Sequence, residues 1–345
     1  DETMGDIWAQ ITCCRTLADN LNLLLDESEV DFEALGDEIV HRTESAMRQA
    51  IAAVPDGTYR YVIHNDAPKD FPGGHIRIEC AVSVSGDELA VDYAGSSEQV
   101  GFAINTVPTY TYAYTAYAIK TVLAPWIPTA QGSFSPITVT APEGSILNPE
   151  RPAPTGSRAM MGHMLPPAVY GALAQVLPDQ VQAAPGSPLT SLQLASRGSG
   201  HRFVMNAFFG AGQGASAARP GESAISFPSN LSNAPIEVLE NMAPIEVTRR
   251  EIRTDSGGTG LNPGGDGIRF ECRLRGDTSA TAAFMVTRTQ NAAPGLAGGQ
   301  SGALGSLRIN GVETEPVGLH DLHPGDEILI ETAGGGGFGA AEKPS

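Results

Sequence analysis

The chain has 345 residues, 41% of them apolar, with 40 glycines and 25 prolines. That apolar share allows a large buried core and excludes disorder, while the glycine and proline content points to a turn-rich protein with many short strands. A net charge of −18 would repel duplex nucleic acid and anionic membranes, so neither is expected as a partner.

Ile7, Ile11, Leu17, Leu21, Leu24 and Leu25 recur at helical spacing and predict a first helix. Asp31 can cap a second, which carries Phe32, Leu35, Ile39, Met47, Ile51 and Val54 and ends at Pro55-Asp56-Gly57. Both are amphipathic and the link is short, which predicts an antiparallel packed pair. Strands are expected over 59–63, 76–84 and 88–93, with Ser85-Gly86-Asp87 as a hairpin turn. An aromatic helix over 109–123 and a short strand over 137–140 follow. Residues 161–177 read as helical, with Pro166-Pro167 at the start or at a kink. From about Ser187 the pattern is strands and glycine-rich loops, at 201–209, 245–253, 268–274, 280–287, 306–309 and 327–331. The fold class expected is α+β, with an N-terminal helix pair, a mixed α/β middle and a β-rich C-terminal part. A boundary near 180 would give units 1–180 and 181–345, or the two could interleave as one.

The four cysteines, Cys13, Cys14, Cys80 and Cys272, form no C-x-x-C, so buried reduced thiols in a cytoplasmic protein are expected. No signal peptide is recognisable, and the apolar helical stretches are too short or too polar for a bilayer. A chain opening on Asp1 reads as a fragment, a processed chain or a portion of something longer. G-x-x-x-x-G-K-[ST], G-x-S-x-G and H-E-x-x-H are all absent. His320-Asp321-Leu322-His323 could hold a metal but reads as a loop entering a strand.

Three segments concentrate polar chemistry. Asp92 to Gln99, followed by Gly101 and Asn105, ends a strand in a loop of small hydrogen-bonding residues. Residues 230–240 hold Asn230, Asn233, Glu237 and Glu240, which could position a polar ligand or act as general base, or could brace a loop. Asp255-Ser256-Gly257-Gly258-Thr259-Gly260 with Gly264-Gly265-Asp266-Gly267 could turn its amides onto an anion, although tight turns explain the same glycines. Gly334 to Gly337 are either a floppy tail or a crowded backbone site.

In order, these segments resemble the hydantoinase B/5-oxoprolinase family. Gly5-Asp6-Ile7-Trp8-Ala9-Gln10 is similar to its G-D-x-x-A-Q, and Asp92 to Gln99 to its D-F-x-G-T-S-x-Q. Pro55 to Tyr59, Asn148-Pro149, Asn233 to Glu240, Asp255 to Gly258, Gly298-Gly299, Pro324-Gly325-Asp326 and Gly334 to Gly339 continue the match. Pro263 stands where the family has Arg, Ala293 to Ala297 where it often has aromatics, and Ser157 to Met160 where Asn-x-Glu-[Thr/Ser] is expected. The resemblance implies a C-terminal half, with the N-terminal half and its His-His-x-Asp segment lacking here.

It implies an ATP-dependent cyclic-amide hydrolase in which ATP phosphorylates the amide oxygen and water attacks the carbon. The alternatives are a subunit of a ketone carboxylase of the acetone or acetophenone type, or a non-catalytic structural subunit. The implied catalytic residues are Glu237, Glu240 and Asp255, and the implied substrate contacts are Asn105, Asn230 and Asn233. ATP with Mg is expected on a hydantoinase A-type partner, and a divalent metal, Zn or Mn, in a chain supplying the N-terminal half. No metal site is expected in this chain, and the substrate is a small molecule.

Overall fold

The computed structural model describes residues 2–67, 71, 73–188, 190–197, 202–277 and 279–341. His201 lies outside them. N-terminal helices are followed by three sheets. Helix α1 (Glu2–Glu27) and helix α2 (Phe32–Ala52) fall where the apolar spacing put them. Asp31 caps α2, its Oδ1 accepting from the amides of Glu33 at 3.1 Å and Ala34 at 3.0 Å. The two helices do not pack as an antiparallel pair. α1 is exposed along almost its whole length, and α2 is buried only through Thr43, Met47 and Ile51. Cys13 and Cys14 therefore face solvent, contrary to the expectation of buried thiols, while Cys80 and Cys272 are buried. Burial pushes the Cys272 thiol up to about 12, as expected where nothing stabilises a thiolate.

The first sheet runs β1 (Gly57–Asp66), β2 (His75–Ser85), β3 (Glu88–Asp92), β4 (Ile137–Thr140), with β3 and β4 parallel. Helix α3 (Pro108–Leu123) and helix α5 (Leu165–Leu173) pack over this part of the chain. The single helix read over 161–177 is instead two. Helix α4 (Ala159–Gly162) stops before His163, and α5 restarts with proline in its first turn, where the missing N–H costs nothing.

The remaining strands build two sheets around one apolar core. β7 (Ile245–Arg253), β8 (Gly267–Leu274), β10 (Ser306–Ile309), β11 (Val312–Glu313) and β13 (Glu327–Glu331) form one, in the order β11-β10-β13-β8-β7. β5 (Thr190–Ser196), β6 (Val204–Phe209), β9 (Ala280–Met285) and β12 (Val317–Leu322) form the other, in the order β12-β9-β5-β6. Phe209 of β6 meets Phe270 of β8 with ring centroids 4.7 Å apart. His320 belongs to strand β12 rather than to a loop, and its ring packs edge-on against Phe284. Helix α6 (Ile236–Met242) was not anticipated from the sequence.

Gly334 to Gly337 are buried and form a crowded backbone site rather than a floppy tail. None of the four has a left-handed φ, so the need is for space. A Cβ on Gly334 would overlap the carbonyl oxygen of Ser256, on Gly335 that of Gln213, and on Gly336 that of Pro294. Without side chains the strip hydrogen-bonds in several directions. The Gly336 amide donates to Ala184 at 2.8 Å, the Ala215 amide to Gly336 at 2.9 Å, the Gly258 amide to Gly335 at 2.8 Å, and the Gly337 amide to Gln300 at 2.9 Å.

Buried polar groups link the first sheet to the β-rich part. Arg288 is fully buried with φ 58°, its Nε donating to Ser187 O at 2.8 Å and its Nη1 to His64 O at 3.2 Å. Burial lowers its pKa to about 10, against the opposing charge of Asp66, so it remains a cation at neutral pH. Asp66 accepts from the amides of Thr289, Gln290 and Asn291 at 2.6, 3.1 and 2.8 Å. His163 is buried with Nδ1 3.0 Å from Ser187 Oγ, and burial depresses its pKa to about 4.

This packing can be tested at two points. Gly335→Ala will cost roughly 3–5 kcal/mol in denaturant unfolding, because rigid backbone must move. Gly311→Ala, at φ 76° with open space around it, will cost only about 1–2 kcal/mol. The unfolded chain protonates His163 near its ordinary value of 6.5, the folded chain only near 4. Stability is therefore full above about pH 6.5 and falls by about 3 kcal/mol as pH drops toward 4. Thermal melts across that window will show a slope that His163→Gln flattens.

Candidate functional site

Residues 230–242 run beside β7, an edge strand of the five-stranded sheet. Arg250 of β7 donates to Ala234 O, and the Val247 amide donates to Glu240 Oε1 at 2.8 Å. Asn233 ties the same segment inward, its Oδ1 accepting from the Gly210 amide at 3.1 Å and its Nδ2 donating to Ala224 O at 3.0 Å. Asn233 and Glu240 thus brace the segment.

Three of the six expected residues, Asn230, Glu237 and Asp255, present polar side chains to solvent. Glu237 is exposed in the first turn of α6. Asn230 is exposed with φ 53°, and Asp255 is exposed with φ 64° just beyond the end of β7. A left-handed φ is tolerated by Asn and Asp better than by most residues. Leu231, Val238 and Met242 are exposed in the same stretch. The segment therefore offers a carboxylate and an amide among uncovered apolar side chains.

Asn105 is elsewhere and fully buried. Its Oδ1 accepts from the Val100 amide at 2.8 Å, and its Nδ2 donates to the carbonyls of Val100, Phe102 and Pro154 at 2.8, 3.2 and 2.9 Å. Its amide is committed to backbone groups of its own loop and of Pro154, which a direct substrate contact does not fit. The loop before it behaves alike. Ser97 Oγ accepts from the Arg77 amide at 2.9 Å, and Ser96 Oγ from the Glu79 amide at 3.1 Å.

The glycine loop does gather amides around an anion, and the anion is internal. Asp266 Oδ1 accepts from the amides of Ser256 at 2.9 Å and Gly257 at 2.8 Å. An external phosphate has no place there while Asp266 fills it.

One cavity was not legible in the sequence. Asp66, Thr289, Gln290 and Glu315 are polar lining of a cavity of about 130 Å³. A wider neighbour of about 460 Å³ shares Phe102, Ile104, Met160 and Val317 with it. None of the six expected residues lines either one. These walls come from distant segments with no local motif, so only the fold brings them together.

Among the described residues, no three His, Cys, Asp or Glu side chains converge as a metal site. His323 Nδ1 lies 3.8 Å from Asp326 Oδ2, with no third ligand. The described residues therefore offer no ligand set for a metal. Among the described residues, no helix is long and apolar enough to cross a membrane.

The fold is shared with two solved structures. The ATP-dependent caprolactamase from Pseudomonas jessenii superposes with a TM-score of 0.82 at 26% identity, covering 98% of this chain and 61% of that one. Acetone carboxylase superposes with a TM-score of 0.76 at 19% identity, covering 94% and 50%; that likeness is one of fold. A protein of Pseudomonas sp. (strain NS671), named as the B-type component of a D-/L-hydantoinase, is 30% identical, covering 97% of this chain and 60% of its own length. The chain thus spans about three-fifths of that relative. The model of the family described as hydantoinase B/oxoprolinase matches residues 1–341. The chain belongs to the hydantoinase B/oxoprolinase family.

Proposed function

We propose that this chain forms one wall of the reaction chamber of an ATP-dependent cyclic-amide hydrolase. The observation that carries this reading is the match across nearly the whole chain to a caprolactamase, at 26% identity. A lactam is a cyclic amide, and resonance protects its carbonyl. Phosphorylation of the oxygen by ATP removes that protection and leaves the carbon open to water. The intermediate must be kept from bulk water, which calls for a chamber closed between chains. ATP and Mg belong to an A-type partner. The divalent metal belongs to the part of the fold that this chain does not span, where it would act on water.

In this reading the exposed segment around α6 faces the chamber. Glu237 and Asp255 supply carboxylates that orient water or take up its proton, and Asn230 offers an amide to the substrate carbonyl. Asn233 and Glu240 act as positioning residues, holding that segment to β7 and to the glycine core. Leu231, Val238 and Met242 are covered when the chamber closes.

The test is turnover by the complex purified with its ATP-binding partner. ATP hydrolysis will depend on a cyclic amide and be indifferent to bicarbonate. Glu237→Gln will lower kcat at least tenfold with assembly unchanged, whereas Asn233→Ala will lower activity and stability together. Bicarbonate-dependent ATP hydrolysis would instead make the complex a carboxylase. Full turnover by Glu237→Gln would remove that residue from the chemistry.

A further inference from the structure

Helix α1 is the part of the molecule with the least explanation from within. At 26 residues it is about 40 Å long. Met4, Ile7, Ile11, Cys14, Ala18, Leu21 and Leu25 follow one another at alternating steps of three and four. That is the spacing of a seam that buries one face of a helix against another surface. Leu17 and Leu24 broaden the strip on one side and Trp8 on the other. Yet Trp8 is 58% exposed and Leu17 65%. Leu35 and Ile39 on the first turns of α2 extend the uncovered surface. A solitary helix of this length is marginal in water, and most helices in proteins draw their stability from a packed apolar face.

Charge narrows what can cover it. Residues 1–38 carry eleven acidic side chains and a single basic one, Arg15. That is a net −10 of the −18 for the whole chain. A second copy laid on the same face would set acid against acid, a poor basis for a homodimer. A complementary surface is apolar with a Lys/Arg rim. The chain spans only 60% of the hydantoinase relative and 61% of the caprolactamase chain, so about two-fifths of the shared architecture lies outside these residues.

We infer that α1 and the start of α2 are the docking surface for that remaining two-fifths of the family fold, which presents an apolar strip rimmed with lysine and arginine. This rests on the proposed assembly and not on its chemistry, so binding and turnover can fail independently.

The probe is the stretch of the Pseudomonas sp. (strain NS671) hydantoinase relative that has no counterpart in this chain, expressed with a tag and mixed with the full chain. Size exclusion with light scattering will show a 1:1 complex. The Leu17→Glu/Leu21→Glu double variant will weaken it at least tenfold with an unchanged circular-dichroism spectrum, since neither side chain is in the core. Raising salt will also weaken it. Failure of the probe to bind the wild-type chain overturns the inference. So does a homodimer of the chain alone that the double variant dissolves, or partition of α1 onto phosphatidylcholine vesicles with no binding of the probe. Loss of ATP-dependent turnover with the complex intact would count against the proposed chemistry and leave the docking surface standing.

Discussion

The C-terminal part depends on one constraint: a strip of backbone that can have no side chains. Gly334 to Gly337 run between the carbonyls of Ser256, Gln213, Pro294 and Thr259, each too close for a methyl group. Glycine is entropically expensive to order. The strip recovers that cost in backbone hydrogen bonds to residues as far apart in sequence as Ala184 and Gln300. Neighbours such as Gly212, Gly258, Gly264 and Gly265 are glycine for the same reason, because their own Cβ atoms would meet backbone. A turn-rich composition thus becomes a rigid hub to which the loops of two sheets are fastened.

The candidate face hangs from this hub. Thr332 Oγ1 donates to Gly210 O at 2.8 Å, and the Gly210 amide is in turn held by Asn233. The segment bearing Glu237 is therefore positioned by the same packing that buries the glycines. Asp66 and Arg288 perform a similar task elsewhere, fixing the loop that lines the cavity next to the first sheet. Ordered scaffolding of this kind suits a surface that must meet a partner in one geometry, since preorganisation lowers the cost of association.

Much of the fold was legible because periodicity reports local burial. The alternation in β2 and β3 and the Asp31 cap were readable from neighbours in sequence. What failed was tertiary. Nothing in the apolar spacing of α1 says whether the face it builds is covered within the chain. Pro166-Pro167 signalled an interruption without deciding between a kink and a break. The site was less legible for a related reason. Asn105, Asn233, Glu240 and Asp266 look alike in sequence to chemically active amides and carboxylates. Each is an internal partner for a backbone amide, fully buried in the case of Asn105. The polar residues that line the cavity, Asp66, the pair Thr289-Gln290, and Glu315, come from three separate stretches of the chain and form no motif.

The proposed chamber requires the edge of the five-stranded sheet, with α6 upon it, to close against an ATP-binding partner. Hydrogen–deuterium exchange on the chain alone and in that complex measures this directly. Amides of residues 230–242 are expected to slow markedly on assembly, while those of the exposed hairpin at Gly311 do not change. Equal exchange of 230–242 in both states would contradict the closure.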